Sequence, residues 1–415
     1  MKRPTDWSKC RQAILKHSLS LLIACWLALN PASGAAQRLL WLGVLPEGFQ
    51  SGAWDVTPNG SVVVGWSTIT MFHAFRWTAE TGMQDLGTLG GIASEAYAVS
   101  ADGMVVVGYA VDSLDRMRAF RWTPESGMQD LGTLGGASSA ATDVSADGSV
   151  IVGWAANSAG QTRAFRWTEQ TGMQEIGVLP GGTSSEAFGV SPDGSIVVGR
   201  ARDSSGQWRA FRWTAEEGMQ DLGTLGGNWS EAWETSADGS VIVGRSRDSA
   251  GRWRAFRWTA EEGMQDLGTL GGNWSEARSV SPDGTLIVGR ARNSANQWRA
   301  FRWTVARGME NLNTTYTELL TDGSELWEAT ALSPDGRYIA GWGYNAASRF
   351  DEAFLLDTHL TGDVDGDGCI DDADLLRVLF RFGQTGSGLT EDVNGDGTVD
   401  DADLLIVLFN FGRGC

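Results

Sequence analysis

The chain has 415 residues, 55 of them glycine and 20 tryptophan, with a formal charge of −19. That length exceeds one ordinary core and suits a repeat array carrying an appended module. The acid excess argues against a nucleic-acid partner, which needs a basic face.

Residues 1–36 read as an export signal. Lys2, Arg3, Lys9, Arg11 and Lys16 form a basic start, Leu19 to Leu29 is apolar, and Pro31-Ala-Ser-Gly-Ala-Ala36 offers small residues for cleavage. Eleven residues are too few to span a bilayer, and no other segment could cross one. Leu22-Ile-Ala-Cys25 also fits a lipoprotein box, but Cys25 lies inside the apolar run, which favours ordinary cleavage. The expected location is therefore secreted, with lipid anchoring through Cys25 the lesser reading. With Cys10 and Cys25 in the signal, Cys369 and Cys415 remain as a pair in an oxidising compartment and are expected to be disulfide-bonded.

From residue 39 onward a motif recurs. Ala-Phe-Arg-Trp-Thr begins at Ala74, Ala119, Ala164, Ala210, Ala255 and Ala300, and Ala353-Phe-Leu-Leu is a worn final copy. Successive starts lie 45, 45, 46, 45, 45 and 53 residues apart, a spacing that marks a solenoid or propeller. One repeat holds four β-type segments separated by turn signals. Ala232-Trp-Glu-Thr leads into the tight turn Ser236-Ala-Asp-Gly239, and Val241-Ile-Val-Gly-Arg245 follows. Next come Arg254-Ala-Phe-Arg-Trp-Thr259 and Met264-Gln-Asp-Leu-Gly268. Four antiparallel strands every 45 residues make the blade of a β-propeller.

The second-strand pattern ends at Gly65, Gly108, Gly153, Gly199, Gly244, Gly289 and Gly341, which predicts seven blades. The fourth-strand pattern is out of phase: it starts early, at Leu39-Leu-Trp-Leu-Gly43, and ends at Met309-Glu-Asn-Leu312. The N-terminal segment near Leu40 is therefore expected to pair beside Phe354 and close the ring, leaving no bare lateral edge. The predicted class is mainly β, a seven-bladed propeller over 37–357 closed by its N-terminal strand, with a small helical module after it.

By its residues this region resembles the bacterial extracellular HAF-repeat family. The resemblance runs from about Leu39 to Leu356 and is carried by His73-Ala-Phe, its Arg-Ala-Phe variants, and Asp85-Leu-Gly-Thr-Leu-Gly-Gly91. It implies the repeat architecture and no particular activity.

Residues repeated in every blade, such as Phe256, Trp258, Asp266 and Gly268, read as packing and turn residues. Positions that break the repeat carry more information. In the first strand, expected to line a central channel, they are Trp54-Asp55, Tyr97-Ala98, Thr142-Asp143, Phe188-Gly189, Trp233-Glu234, Arg278-Ser279 and Thr330-Ala331. Asp55, Asp143 and Glu234 could supply a carboxylate pair for glycoside chemistry. No G-x-S-x-G or zinc signature is present, and only His73 and His359 follow the signal. No catalytic residue is assigned. Trp208, Trp253 and Trp298 near the second hairpin, with Trp229 and Trp274 in the link between blades, form a candidate ligand face for a glycan or peptide. The position before Arg-Ala-Phe is Phe72 or Met117 elsewhere, so simple packing is the competing reading for the first three.

The C-terminal stretch is the most specific chemical signal. Residues 362–415 hold twelve carboxylates against three arginines. Asp363, Asp365, Asp367, Cys369 (through its carbonyl), Asp371 and Asp374 fall at calcium-loop positions 1, 3, 5, 7, 9 and 12, and Gly368 permits the sharp turn. The pattern returns 29 residues later as Asp392, Asn394, Asp396, Thr398, Asp400 and Asp403. Two Ca2+ ions are predicted. Each loop is followed by an apolar helix, 373–382 and 402–411, and preceded by none.

A loop–helix duplicate of this kind resembles a type I dockerin, an EF-hand-like module, over 362–415. The resemblance implies a cohesin-like partner, commonly within polysaccharide-degrading assemblies. It places partner contacts at Asp372, Ala373, Asp401 and Ala402 and, later in the helices, at Leu379, Phe380, Leu408 and Phe409. The Ser/Thr and basic pairs usual in that family are absent. A linker at 358–361 is short enough that the helices could instead rest on the chain's own propeller. The expected function is a secreted, non-catalytic recognition or scaffold protein assembled through calcium. The alternative is an exported carbohydrate-active hydrolase or lyase with its site in the channel.

Overall fold

The structure is a computed structural model that describes residues 37–365, 369–386, 389–394 and 396–412. The signal segment with Cys25 lies outside the described residues, as do Asp367 and Cys415. The chain divides into two compact units between Thr358 and His359. Among the described residues no helix is long and apolar enough to cross a membrane.

The first unit is built of four-stranded antiparallel sheets. Five of them cover 90–130, 135–175, 185–221, 226–266 and 271–311. An eight-stranded sheet joins the two ends of the unit. Its halves are the strands Gln50–Val56, Val62–Thr68, Phe72–Thr78 and Gly82–Asp85, and the strands Glu325–Leu332, Tyr338–Asn345, Phe350–Asp357 and Arg38–Trp41. The halves meet through one parallel pair, Gln50 with Asp351. The first strands of successive sheets touch one another in a closed circuit that returns from Glu325–Leu332 to Gln50–Val56.

Sheets stack because no repeat can bury its apolar face alone. Phe75, Phe120, Phe165, Phe211, Phe256, Phe301 and Phe354 are fully buried. Each core cluster draws on neighbouring sheets: Val62, Val64 and Ala74 pack with Ala96, Val106 and Phe120 of the next. The Gly inside each second strand, past which the strand continues for several residues, is required by a close approach. A methyl group on Gly244 would collide with the carbonyl of Glu231 on the adjacent strand.

A recurring serine staple ties sheet to sheet. Ser94 Oγ accepts the Ala74 N–H at 2.9 Å and donates to the Gly87 carbonyl at 2.6 Å. Ser139, Ser185, Ser230 and Ser275 repeat it. The same staple joins the chain ends. Ser51 Oγ accepts the Ala353 N–H at 2.9 Å and donates to Gly43 at 2.6 Å, while Leu42 N–H donates to the Ala353 carbonyl. The N-terminal strand thus stands beside Phe350–Asp357, with Trp41 edge-on to Phe354 at 6.0 Å.

One expectation needs revision. Trp229 and Trp274 belong not to links but to long first strands, Gly226–Thr235 and Gly271–Val280. Gly226 pairs with Asp248 and Gly271 with Asn293, so strand pairing continues outward past the segment where composition alone suggests it begins.

The second unit holds helices Asp372–Arg381 and Asp401–Asn410, each opened by a capping box from Asp371 or Asp400. It has a pseudo-twofold plan. Gly383 N–H donates to Val399 O, and Gly412 N–H donates to Ile370 O, so the segment after each helix seals the other loop. Ile370, Val378, Val399 and Val407 form its buried core.

Candidate functional site

Three constellations carry chemistry. The first lies in the channel. Every first strand has a bulge there, as between Ala53 and Asp55, which turns two successive side chains inward. The upper residue of each pair closes the channel. Trp54 meets Tyr97 edge-on at 6.0 Å, and the Arg278 guanidinium lies 4.0 Å from the Trp233 ring and 5.9 Å from Trp54.

Below this plug is a cavity of about 150 Å³ that contains Asp55, Asp143 and Glu234, and no Lys, Arg or His lines it. The carboxylates sit on alternate sheets and cap inward-facing amides. Asp55 accepts from Val56 and Val99, Asp143 from Val144 and Val190, and Glu234 from Thr235. Burial pushes Asp55 up to about 7 against the pull of its two amide donors. Burial and the nearby Asp55 charge push Asp143 up to about 8. Glu234 is raised by burial and then by Asp143. The cluster expected from the sequence therefore exists, but five of the six carboxylate oxygens that would do acid–base work on a glycoside are already engaged by the backbone amides of Val56, Val99, Val144, Val190 and Thr235.

These groups fix a pH response. An unfolded aspartate loses its proton near its ordinary value, about 3.9, whereas folded Asp55 and Asp143 keep theirs to about 7 and 8. Stability should therefore fall as pH rises through that window, because the unfolded chain binds fewer protons. Melting temperature followed from mildly acidic to alkaline pH should show this decline, with a shallower slope in Asp143→Asn. Equal slopes would remove the channel carboxylates from the explanation.

The second constellation is the tryptophan face, at the other end of the channel. The five tryptophans come together as a ladder: Trp208–Trp229 6.5 Å, Trp229–Trp253 5.9 Å, Trp253–Trp274 6.4 Å and Trp274–Trp298 5.7 Å. None is exposed, and Trp208 is buried. Arg200, Arg245 and Arg290 each lie 4.4 Å from Trp208, Trp253 and Trp298 respectively, and Arg202, Arg247 and Arg292 approach the same rings within 5.0 Å. Beneath the rings runs an ion-pair chain, Glu186–Arg200–Glu231–Arg245–Glu276–Arg290–Glu328, with links of 2.6–3.1 Å. Each arginine joins the glutamate of its own sheet to that of the next. This chain was not anticipated, although Glu directly before the bulge at 186, 231, 276 and 328 and Arg after the strand-two Gly at 200, 245 and 290 were visible.

At the seam between the joined halves the ladder is absent. There Phe49, Met71, Phe72 and Phe350 are 38–47% exposed, and the Gln50–Asp351 pair sets Phe49 beside Phe350.

The third constellation is the acidic loop pair. Asp363, Asp365 and Asp374 bring carboxylate oxygens within 4.8 Å of one another and could hold a metal ion. Asp374 is fully buried and accepts the Val364, Asp365 and Asp371 amides. Its counterpart Asp403 is equally buried and accepts from Asn394 and Asp400. Asp392 accepts from Asp396 and Gly397, Asp396 accepts from Thr398, and Asn394 Nδ2 donates to Asp396, so the second loop is folded around its own acids. Cys369 is disulfide-bonded. Asp372, Ala373 and Asp401 are exposed and Ala402 half-buried. Leu379 and Phe380 are 47% and 82% exposed, and Leu408 and Phe409 are 48% and 47%.

No family model and no curated protein matches this chain. Among solved structures, an oligogalacturonate lyase from Vibrio parahaemolyticus is similar over 78% of this chain and 98% of its own, at 10% identity and a TM-score of 0.51. A putative TolB from Agrobacterium tumefaciens covers 66% of this chain and 93% of its own at 15% identity, with a TM-score of 0.44. At these identities the likeness to the lyase concerns the fold alone, a β-propeller.

Proposed function

We propose that this is a secreted, non-catalytic recognition protein: a seven-bladed propeller of HAF-repeat type, assembled into a larger complex by a calcium-dependent, dockerin-like module. The observation that carries the reading is the module's exposed, symmetric apolar face. Leu379 and Phe380 on one helix and Leu408 and Phe409 on the other stand outward at equivalent positions, as a pair of helices awaiting a protein partner would. The donor set of Asp363, Asp365 and Asp374 is all oxygen, which suits a hard divalent cation such as Ca2+ over zinc. Bound calcium would order both loops and so hold the helices in place. The exposed phenylalanines at the seam favour a protein ligand for the propeller, since Trp208, Trp253 and Trp298 lie against arginines and Trp229 and Trp274 donate to Glu231 and Glu276.

The test is capture of the full chain by a cohesin-like protein with and without a chelator. Capture should need calcium, and Phe380→Ser with Phe409→Ser should weaken it at least about thirtyfold, the loss typical of two-kilocalorie anchor residues. Capture that survives both chelation and the substitutions would refute the assembly role. A channel hydrolase or lyase remains the second reading because Asp55, Asp143 and Glu234 share one cavity.

A further inference from the structure

The inward amides of the channel are not all served alike. In each sheet one N–H faces the cavity just before the strand-one turn, because the residue belongs to a non-hydrogen-bonded pair. Ser281 N–H, one residue on, donates to Leu286 across the ladder, so Val280, opposite Ile287, turns its own N–H inward. Leu332, opposite Ile339 and preceding the Ser333–Tyr338 bond, does the same. Asp55, Asp143 and Glu234 together cap the inward amides of five sheets. Val280 and Leu332 have no such acceptor. Glu234 would be the cap for Val280 by analogy with Asp55 on Val99, but it engages only Thr235 and leaves Oε2 to the cavity. Beside these amides Ser279 lines the same cavity, 9% exposed, with no hydrogen-bond partner for its hydroxyl.

The cavity is therefore dipolar. One arc carries three carboxylates with no cationic side chain, and the adjoining arc carries two amide donors and a hydroxyl. A metal ion does not suit it. Among the described residues only Asp363, Asp365 and Asp374 bring three such oxygens within 4.8 Å, so the channel carboxylates stand too far apart to share an ion. An anion alone would meet three acids, and a cation alone would leave the donors unanswered. About 150 Å³ is roughly five water-sized volumes at about 30 Å³ each, enough for a molecule of a few heavy atoms.

We propose that this end of the channel binds a small zwitterion of the amino-acid class, its ammonium on Glu234 Oε2 in the field of Asp55 and Asp143 and its carboxylate on the Val280 and Leu332 amides and the Ser279 hydroxyl. The ammonium takes the place of the protons that burial holds on the acids.

Calorimetric titration of the full chain tests this, at a pH just above the range in which Asp55 and Asp143 ionise. The probes are glycine, methylammonium and acetate. Glycine should bind saturably and at least about tenfold more tightly than either single ion, about one charged hydrogen bond's difference. Ser279→Ala and Glu234→Gln should each weaken glycine by a similar factor while circular dichroism stays unchanged. If Glu234→Gln fails to fold, Ser279→Ala alone decides. No saturable glycine binding, equal binding of acetate or methylammonium, or a Ser279→Ala protein that binds glycine as well as the parent would overturn the assignment.

Discussion

A protein lacking residues 37–44 is expected to lose several kcal/mol of stability and to aggregate. The deletion removes the strand Arg38–Trp41 from its place beside Phe350–Asp357, strips the buried Leu42 from the core, and takes Trp41 from Phe354. Burial of one large apolar side chain contributes about 1.5–3 kcal/mol, against a total of about 5–15 kcal/mol for a folded domain. The exposed edge then offers unpaired amides to another chain. A finer comparison isolates the joint. Ser51→Ala removes the staple at the seam and Ser139→Ala the same staple inside the ring, and each should cost about 1–2 kcal/mol. Denaturant titration of the three proteins checks both statements. Unchanged unfolding of the truncated chain would mean the ring does not depend on its front strand.

Replacing Glu276 should be the most damaging single change on the tryptophan face. This carboxylate is fully buried and lies within 2.7–3.2 Å of Arg245, Arg290 and Arg278. Removing it leaves three guanidiniums close together without their shared counter-charge, and breaking a buried pair in this way costs about 3–5 kcal/mol. Glu276→Gln keeps the shape and loses only the charge, so its unfolding midpoint in urea measures the electrostatic part. Burial opposes ionisation here, but the three arginines outweigh it and pull Glu276 down to about 2. Its contribution is therefore complete above the ordinary glutamate range and disappears as pH falls toward 2. The slope is opposite to that of the channel acids. Together they place greatest stability at mildly acidic pH, with Glu276→Gln flattening the acid limb only. An unaltered acid limb in Glu276→Gln would sink this account.

Much of the fold can be read from spacing. Ala-Phe-Arg-Trp-Thr every 45 or 46 residues, the Gly within each second strand, and the out-of-phase Leu39-Leu-Trp-Leu-Gly43 are local signals, each answering a local steric or hydrogen-bonding need. They led to four-stranded sheets, buried phenylalanines and an N-terminal strand set against the last repeat. The cluster of Asp363, Asp365 and Asp374 was legible for the same reason, since its carboxylates come from twelve consecutive residues. The ion-pair chain was not. Glu231 and Arg200 lie 31 residues apart, and their meeting depends on how one sheet stacks on the next. The ladder tryptophans looked like an open aromatic face because their number was visible and the guanidiniums over them were not.

Repetition within the chain settled what each sheet would be, because strand, turn and staple are made by neighbours in sequence and work the same way in every copy. How the copies differ in role was settled by closing them around one axis. Only then do Asp55, Asp143 and Glu234 face one cavity, while Val280 and Leu332 are left without the acceptor their counterparts have. Charges that lie far apart along the chain acquire shifted protonation and shared partners when burial and ring closure bring them within reach of one another, and no stretch of residues taken alone contains that information.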